Sequence, residues 1–355
     1  MIEYFINFTI SNKIKNHLIM ENEDKYFMKI AIREAKKASD AVFPNPKVGC
    51  IITKNGKIIS KGFHKKFGDR HAEKMAIDSL NLEINQATMY VTLEPCAHTG
   101  KTKPCIDLIS PKIFKKIVIS NNDPNPLSKN GVEILKKKNI EVKTGVCKKK
   151  SKKINKRFFT FHEKKRPYVI IKCAMTLDGF IAEKNGKSKW ITNKESRKSV
   201  HKLRSICDAI LIGNKTANSD NPSLTSHKQG KNPKIVLIDP SNNASKNLKL
   251  FDRDPIIFNN ETLEKNSINN VSIILEKLYK KQIQSLLVEG GGYTITSFID
   301  SKLFDELHLY YAPKLIGEGI SSYKSIRSIN NSNDLKLKKI DKFGNDFRVI
   351  YKRKN

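Results

Sequence analysis

The stretch that most constrains this chain, residues 68–105, contains His71, Cys96 and Cys105 in a metal-binding order. His71-Ala72-Glu73 opens it, and two Pro-Cys pairs that contain Cys96 and Cys105 close it. Zn²⁺ prefers imidazole nitrogen and thiolate sulfur, and catalytic zinc sites use three protein ligands and a fourth position for water. We therefore predict a Zn²⁺ site at His71, Cys96 and Cys105, with Glu73 carrying protons to and from that water.

The spacing of the two cysteines predicts a loop beside the metal. H-x-E followed by Pro-Cys-x-x-Cys is the signature of zinc nucleobase deaminases, but here eight residues separate Cys96 from Cys105. On one continuous helix, nine steps of about 100° would leave the two thiols on opposite faces. The chain must therefore turn back, and residues 99–102 have the composition of a loop. His98 and Lys101 are candidates there for holding an anionic or polar substrate.

A closed structural zinc site is the main alternative. Such a site needs a fourth protein ligand, and His98 is the only nearby candidate. The ordered H-A-E, P-C and P-C pattern favours the catalytic interpretation.

Length and composition indicate two globular domains in a reducing compartment. A chain of 355 residues suggests two domains. No apolar run approaches the ~20 residues of a membrane span, and we expect no membrane partner. Six cysteines are too few for a disulfide framework, so we expect a protein of the reducing cytosol.

The net charge of +32 raises the question of nucleic-acid binding. Only ten of the 67 basic residues are arginine, however, and the lysines are scattered along the whole chain. Because aromatic stacking platforms and arginine-rich segments are not evident, we expect solvated lysines and no specific nucleic-acid partner.

Alternating strand and helix patterns predict α/β folds in both halves. Asn55-Gly56 predicts a tight hairpin turn, and strands then alternate with helices through residue 145 as in a three-layer α/β/α domain. A second α/β pattern follows residue 168, with a helix that Thr192 and Glu195 are spaced to cap. Glycines 290–292, between a strand and a helix, form a weak phosphate-binding candidate that a simple tight turn explains about as well.

These motifs together resemble the bifunctional riboflavin-biosynthesis deaminase–reductases. The first half carries H-A-E, P-C-x₈-C, Asn45-Pro46-x-Val48-Gly49 and Asp123-Pro124-Asn125-Pro126. The second half carries Lys172-x-Ala174-x-x-Leu177-Asp178-Gly179, Ser188-Lys189-Trp190-Ile191-Thr192, Asp220-Asn221-Pro222-x-Leu224-Thr225, Val288-Glu289-Gly290-Gly291 and Ala312-Pro313-Lys314-Leu315-Ile316-Gly317. The resemblance runs in uninterrupted order from about Asn22 to Lys352.

The resemblance implies two consecutive reactions in two domains. A cytidine-deaminase-like domain with Zn²⁺ would deaminate 2,5-diamino-6-(5-phosphoribosylamino)pyrimidin-4(3H)-one. A dihydrofolate-reductase-like domain would then use NADPH to reduce the ribosyl group, giving 5-amino-6-(5-phosphoribitylamino)uracil. We assign residues 1–19 to a dispensable extension, 20–147 to the deaminase, 148–166 to a basic linker and 167–355 to the reductase. We expect a cytoplasmic homo-oligomer whose partner is this phosphorylated pyrimidine.

The resemblance also implies binding residues. Contacts to the deaminase substrate would come from Asn45, His64, His98, Lys101, Asp123 and Asn125. NADPH would contact Ala174, Trp190, Thr216, Asp220, Gly291, Gly292, Tyr293 and Thr294. Contacts to the reductase substrate would come from Lys172, Ser188, Arg204, Leu224, His227 and Glu289.

One position departs from the family. Two residues after Thr225 the family usually has arginine, but this chain has His227. Arginine grips phosphate bidentately at any pH, whereas histidine is only partly charged near neutrality. Either Lys228 substitutes for the arginine or the substrate binds more weakly.

Two other function classes compete with this interpretation. An RNA-acting deaminase would have Pro-Cys-x-x-Cys and a basic, aromatic RNA module in place of the second motif set. A non-enzymatic zinc module would use the positive charge only for association.

Overall fold

A computed structural model describes residues 21–80, 83–99, 103–128, 130–264 and 269–354. The chain divides into two compact units, Met1–Glu163 and Lys164–Asn355. The predicted extension 1–19 and Lys101 lie outside the described residues. Within the described part of the chain, no helix is both long enough and apolar enough to cross a membrane.

The first unit contains a five-stranded sheet and six helices among its described residues. Its strands are β1 (Gly49–Lys54), β2 (Lys57–Phe63), β3 (Ala87–Val91), β4 (Phe114–Ile119) and β5 (Glu141–Thr144). Its α-helices are α1 (21–35), α2 (Ala72–Asp78), α3 (Cys105–Leu108), α4 (Gly131–Lys137), α5 (Lys148–Lys152) and α6 (Lys156–Lys164). Short 3₁₀ turns cover Asp40–Val42, Pro126–Ser128 and Lys153–Asn155.

The predicted three-layer arrangement of this unit is confirmed. The strand order is β2-β1-β3-β4-β5, with β1 antiparallel to both neighbours and β3, β4 and β5 parallel. Side chains alternate across β1, so Cys50 and Ile52 pack with α2, α3 and α4 while Ile51 packs with α1. The predicted hairpin joins β1 to β2 through Asn55 and Gly56, which both have positive φ.

Residues 148–166, which we predicted to be a basic linker, are helical over most of their length. The lysine density hid an apolar face, because Phe158, Phe159 and Phe161 of α6 are buried. Long lysine side chains can cover such a face while their amines stay in water. This segment belongs to the first compact unit up to Glu163.

The second unit contains an eight-stranded sheet, a two-stranded sheet and four α-helices among its described residues. Its strands are β6 (Tyr168–Thr176), β7 (Phe180–Ala182), β8 (Ala209–Gly213), β9 (Lys234–Ile238), β10 (Ile256–Phe258), β11 (Ser285–Val288), β12 (Glu306–Ala312), β13 (Ile320–Ser321), β14 (Leu335–Phe343) and β15 (Asp346–Arg353). Its α-helices are α7 (Lys194–Ser205), α8 (Asn214–Asp220), α9 (Asn270–Lys280) and α10 (Gly292–Asp300), with 3₁₀ turns at Phe251–Arg253 and Ile329–Asn331.

The large sheet has the order β10-β9-β8-β11-β6-β12-β15-β14. The first six strands are parallel, and the C-terminal hairpin β14–β15 adds two antiparallel strands. Helices α9 and α10 pack on one face, and α7 and α8 on the other. The predicted cap of α7 was wrong, because the side chain of Asn193, not Thr192, accepts the amide of Ser196 at 2.9 Å.

Candidate active sites of the two units

The three predicted metal ligands come from separate elements of the first unit. His71 is the residue before α2, Cys96 follows β3, and Cys105 begins α3. Helix α2 can lie directly on β2 because Gly62 has no side chain: a Cβ there would lie 2.2 Å from the carbonyl oxygen of Ala72. This close approach positions His71 and Glu73, which lies two residues further on, at the start of α2.

The ligand atoms of these residues converge. His71 Nδ1 lies 3.2 Å from Cys105 Sγ and 3.6 Å from Cys96 Sγ, and the amide of Cys105 donates to Cys96 Sγ at 3.3 Å. All three ligand atoms lie within 4.8 Å of one another. Hydrogen bonds from Cys105 and from His71 lower the pKa of the Cys96 thiol, which favours the thiolate that a metal needs.

This donor set fits Zn²⁺ in a catalytic arrangement. Among the described residues, the cluster of possible metal ligands comprises His71, Cys96 and Cys105. His98, the candidate for a fourth ligand, instead has Nδ1 3.3 Å from Ser128 Oγ. Three protein ligands of imidazole and thiolate type leave one tetrahedral position for water, as in catalytic zinc sites.

The position and the pKa of Glu73 both suit a residue that carries protons. It lies in the first turn of α2, is only 4% exposed and lines the same cleft as His71 and Cys96. Burial raises the pKa of Glu73 to about 7, against the opposing effect of nearby His71. A carboxyl group that titrates near neutral pH can both accept and return a proton.

The metal cluster opens into a cleft of about 190 Å³. Five of the six predicted substrate residues line it together with His71, Glu73 and Cys96: Asn45, His64, His98, Asp123 and Asn125. Asn45 Nδ2 lies 3.3 Å from His64 Nε2, and His64 Nδ1 lies 3.1 Å from the carbonyl oxygen of Arg70. Burial lowers the pKa of His64, so this ring is a neutral hydrogen-bonding group at pH 7.

Glu94 is a cleft residue that we did not predict. Its Oε2 accepts the amide of Asp123 at 3.0 Å, and its Oε1 accepts the amide of Val132 at 3.0 Å. Burial, with a further contribution from Glu94, raises the pKa of Asp123 to about 7. The signal in the sequence was the position of Glu94, immediately before Pro95-Cys96.

Three of the predicted substrate residues in the second unit form one charged cluster. Arg204 of α7 holds Glu289 through Nε to Oε1 at 2.9 Å and Nη2 to Oε2 at 3.0 Å. Lys172 of β6 reaches Oε2 of the same carboxylate at 3.4 Å. Burial alone would raise the pKa of Glu289, but Arg204 and Lys172 outweigh it and lower that pKa to about 2.

His227 lies beside a second histidine that we did not predict. Its ring stacks on that of His201 with centroids 4.0 Å apart. Burial and the neighbouring His227 lower the pKa of His201 to about 4, and its buried Nδ1 has no hydrogen-bond partner among the described residues. His201 lies three residues before Arg204 on α7, a spacing that places two helix residues on the same side.

The glycine turn suits a phosphate-bearing cofactor. It follows β11 and leads into α10, and the amide of Gly291 donates to Thr216 Oγ1 at 3.1 Å, which joins two predicted NADPH contacts. Glycine keeps the backbone accessible here, and helix N-termini favour anions. Thr294 is buried in the first turn of α10, whereas Tyr293 is exposed.

Three motif segments meet beside Trp190. Lys314 Nζ donates to the carbonyl oxygen of Trp190 at 2.8 Å, and the carbonyl oxygen of Lys314 accepts the amide of Leu177 at 2.8 Å. The guanidinium carbon of Arg197 lies 4.4 Å from the centroid of the Trp190 ring. Trp190 is nevertheless 65% exposed, so it is a surface residue rather than the core residue that its apolar character alone would suggest.

Four predicted reductase residues take no part in the charged cluster, the histidine pair, the glycine turn or the Trp190 contacts described above. Ala174 is on β6, Ser188 in the loop before α7 and Asp220 at the end of α8. The side chain of Leu224 is 2% exposed and packs in the core, so a contact with substrate could come only from its backbone. The roles of these four residues stay predictions.

Both units of the chain match known protein families. Residues 21–121 match the model of the cytidine and deoxycytidylate deaminase zinc-binding region, and residues 167–349 match that of the RibD C-terminal domain. The riboflavin biosynthesis protein RibD of Aquifex aeolicus is 41% identical over 350 residues, which cover 93% of this chain and 98% of that protein.

Two solved structures are similar over nearly the whole chain. One is a diaminohydroxyphosphoribosylaminopyrimidine deaminase/5-amino-6-(5-phosphoribosylamino)uracil reductase from Thermotoga maritima, with a TM-score of 0.79 at 39% identity, covering 94% of this chain and 99% of that one. The other is RibD of Acinetobacter baumannii, with a TM-score of 0.83 at 31% identity, covering 94% and 100%.

Proposed function

The chain belongs to the RibD family of riboflavin-biosynthesis proteins, and from that premise we propose which residues carry out each of its two reactions. It is a bifunctional enzyme with Zn²⁺ and NADPH as cofactors. The first reaction removes ammonia from 2,5-diamino-6-(5-phosphoribosylamino)pyrimidin-4(3H)-one. The second reduces the ribosyl side chain to give 5-amino-6-(5-phosphoribitylamino)uracil. The observation that best supports the residue assignment is the convergence of His71, Cys96, Cys105 and Glu73 at one cleft.

For the deamination, His71, Cys96 and Cys105 would hold Zn²⁺, which would supply the Lewis acidity that makes water a nucleophile at neutral pH. Glu73 would accept the first proton of the attacking water and pass it to the ring nitrogen. It would then take the second proton from the hydroxyl group added at C2 and deliver it to the leaving amino group. Water and the amine are thus converted to a carbonyl and ammonia. The pKa of about 7 at Glu73 suits both directions of transfer.

The other cleft residues bind and orient this substrate. Asn45 and neutral His64 form a hydrogen-bonded pair for the base, and Asp123 and Asn125 lie across the cleft for the base or the sugar. His98 and Lys101 supply polar and positive groups for the phosphoribosyl end. Burial, which raises the pKa of Asp123 to about 7, allows its carboxyl to donate as well as accept a hydrogen bond.

For the reduction, NADPH would supply the hydride that C1′ of the sugar receives. Thr216 and Gly291, joined by their 3.1 Å hydrogen bond, would hold the pyrophosphate at the start of α10. Glu289 keeps Arg204 and Lys172 fixed in one cluster, from which they would bind the phosphorylated substrate. His227 would contact the phosphate.

Two further properties are proposals. We expect the enzyme to act in the cytoplasm and to form a homo-oligomer. Light scattering on the purified chain tests the second expectation.

Ammonia release from the diaminopyrimidine phosphate, with and without a chelator, tests the function. We expect the chelator to stop ammonia release and added Zn²⁺ to restore it. NADPH oxidation with the deaminated substrate should continue in the presence of the chelator. Ammonia release and NADPH oxidation that both continue in the presence of the chelator would overturn this assignment. An untreated enzyme that shows neither activity would also overturn it.

A further inference from the structure

We propose that residues 148–158 complete the deaminase site, with Asn155 as a positioning residue for the Asn45 loop and Phe158 as an apolar wall of the cleft. This inference depends on the proposed deaminase function of the first unit. It concerns a segment that carries no metal ligand and that looks from its composition like a basic linker.

The side chain of Asn155 forms two hydrogen bonds with the backbone of Lys47. Its Oδ1 accepts the amide of Lys47 at 2.8 Å, and its Nδ2 donates to the carbonyl oxygen of Lys47 at 2.8 Å. Asn155 is 5% exposed, and 108 residues separate it from Lys47 in the chain. The buried side-chain amide of Asn155 thus pairs with both the backbone N–H and the backbone C=O of Lys47. A neighbouring β-strand would hold the backbone of Lys47 in place through the same two hydrogen bonds.

The backbone of Lys47 belongs to a segment that forms one side of the cleft. Asn45, Pro46 and Val48, which flank Lys47, all line it. The carbonyl oxygen of Val48 accepts the amide of His64 at 3.0 Å, and the side chain of His64 in turn contacts Asn45 at 3.3 Å. A shift of Lys47 would therefore move the Asn45–His64 pair relative to the metal cluster.

Phe158 extends the same segment into the cleft. It lines the cleft, is 5% exposed and packs with Leu93 and Val48. The segment is anchored upstream by Ser151, whose Oγ donates to the carbonyl oxygen of Thr92 at 3.0 Å. Thr92 directly follows β3, the strand that leads to Cys96. The segment thus joins the metal side of the cleft to the Asn45 side.

The test uses Asn155→Leu, which removes both hydrogen bonds and keeps the number of side-chain heavy atoms, and Asn155→Asp, which keeps only the acceptor. Tyr90→Phe is the control, because it removes a buried hydrogen bond of the first unit, from the Tyr90 hydroxyl to Asp24 Oδ1 at 3.1 Å, and Tyr90 packs with α1 and is not among the residues that line the cleft. For each full-length holoenzyme we would measure zinc per chain, thermal unfolding, deaminase kcat and KM, and reductase activity on the deaminated substrate.

We expect Asn155→Leu to raise the deaminase KM at least about tenfold, because small displacements of substrate-positioning groups are costly. Asn155→Asp should raise it less. The deaminase kcat should change less than about threefold, since Glu73 and the metal ligands stay in place. Zinc content and reductase activity should match the parent, and Tyr90→Phe should lose stability without a change in KM. Phe158→Leu, which keeps an apolar side chain but makes it smaller, should raise KM on its own.

Equal deaminase kinetics in Asn155→Leu and Tyr90→Phe, with equal losses of stability, would overturn the inference and leave Asn155 a purely structural residue. If Asn155→Leu does not fold, Asn155→Asp and Phe158→Leu decide the question by the same KM criterion. A parent enzyme that releases no ammonia would instead reject the proposed function, so the two failures are distinguishable.

Discussion

Replacing Glu289 by glutamine should destabilise the second unit in a pH-dependent way. The carboxylate side chain is 8% exposed and bonds Arg204 through both oxygens, with Lys172 as a second positive partner. In Glu289→Gln these two partly buried cations lose their counter-charge. Breaking such a pair by removing one partner costs about 3–5 kcal/mol.

The pKa of Glu289 gives a consistent magnitude. Folding lowers that pKa from its ordinary 4.5 to about 2. Since one pKa unit corresponds to about 1.4 kcal/mol, the ionised carboxylate stabilises the folded unit by about 3 kcal/mol. Because the folded pKa lies below the unfolded one, this contribution is fully present above pH 4.5 and is lost as the pH falls through about 2.

Urea unfolding followed by tryptophan fluorescence measures this effect selectively. The chain has a single tryptophan, Trp190, and it lies in the second unit. We expect the difference in unfolding free energy between parent and Glu289→Gln to be about 3 kcal/mol at pH 7 and to shrink steadily below pH 4.5. Glu276→Gln is the matched control, because Glu276 pairs with Lys280 on the exposed face of α9 and should cost little. A difference below about 1 kcal/mol at pH 7, or one independent of pH, would refute this reasoning.

Three more predictions concern other parts of the chain. His227→Arg should lower the reductase KM about fivefold, equivalent to about 1 kcal/mol, because arginine is charged at every pH; an unchanged KM would remove His227 from the phosphate site. Asp24→Asn should destabilise the first unit by about 3 kcal/mol in calorimetry, because the 3% exposed carboxylate accepts from Lys143 at 2.8 Å and Lys116 at 3.2 Å. Glu21→Gln, in an exposed pair with Lys25, is its control and should change little. Deleting residues 1–19 should leave folding and both activities intact, and an inactive or insoluble product would contradict this.

The metal centre could be predicted from the sequence because coordination chemistry restricts it to a few residue types. His71, Cys96 and Cys105 are distant enough in the chain to need a fold, yet the H-x-E and Pro-Cys patterns identified them. The hairpin at Asn55-Gly56 was predictable for a similar reason, since few residues adopt positive φ at both turn positions.

The walls of the cleft could not be predicted in the same way. Phe158 lines it through tertiary packing, which leaves no fixed spacing in the chain, whereas Glu94 left a signal only in its position directly before Pro95-Cys96. The helices at 148–164 were missed because lysines obscured their buried face, and the start of α7 because Thr192 and Asn193 can both cap a helix. Leu224 lies at a motif position, but its side chain is buried. The motif alone therefore does not show whether the side chain or the backbone of such a residue would contact the substrate.

The central claim is that one chain performs two consecutive reactions, the first through Glu73. The most direct test is Glu73→Gln, assayed for ammonia release and NADPH oxidation with each of two substrates. With the diaminopyrimidine phosphate, both signals should be lost, because the second reaction needs the product of the first. With the deaminated pyrimidine, NADPH oxidation should equal that of the parent enzyme, and zinc content should be unchanged. Ammonia release at the parental rate, or NADPH oxidation that fails with the deaminated substrate, would contradict the account.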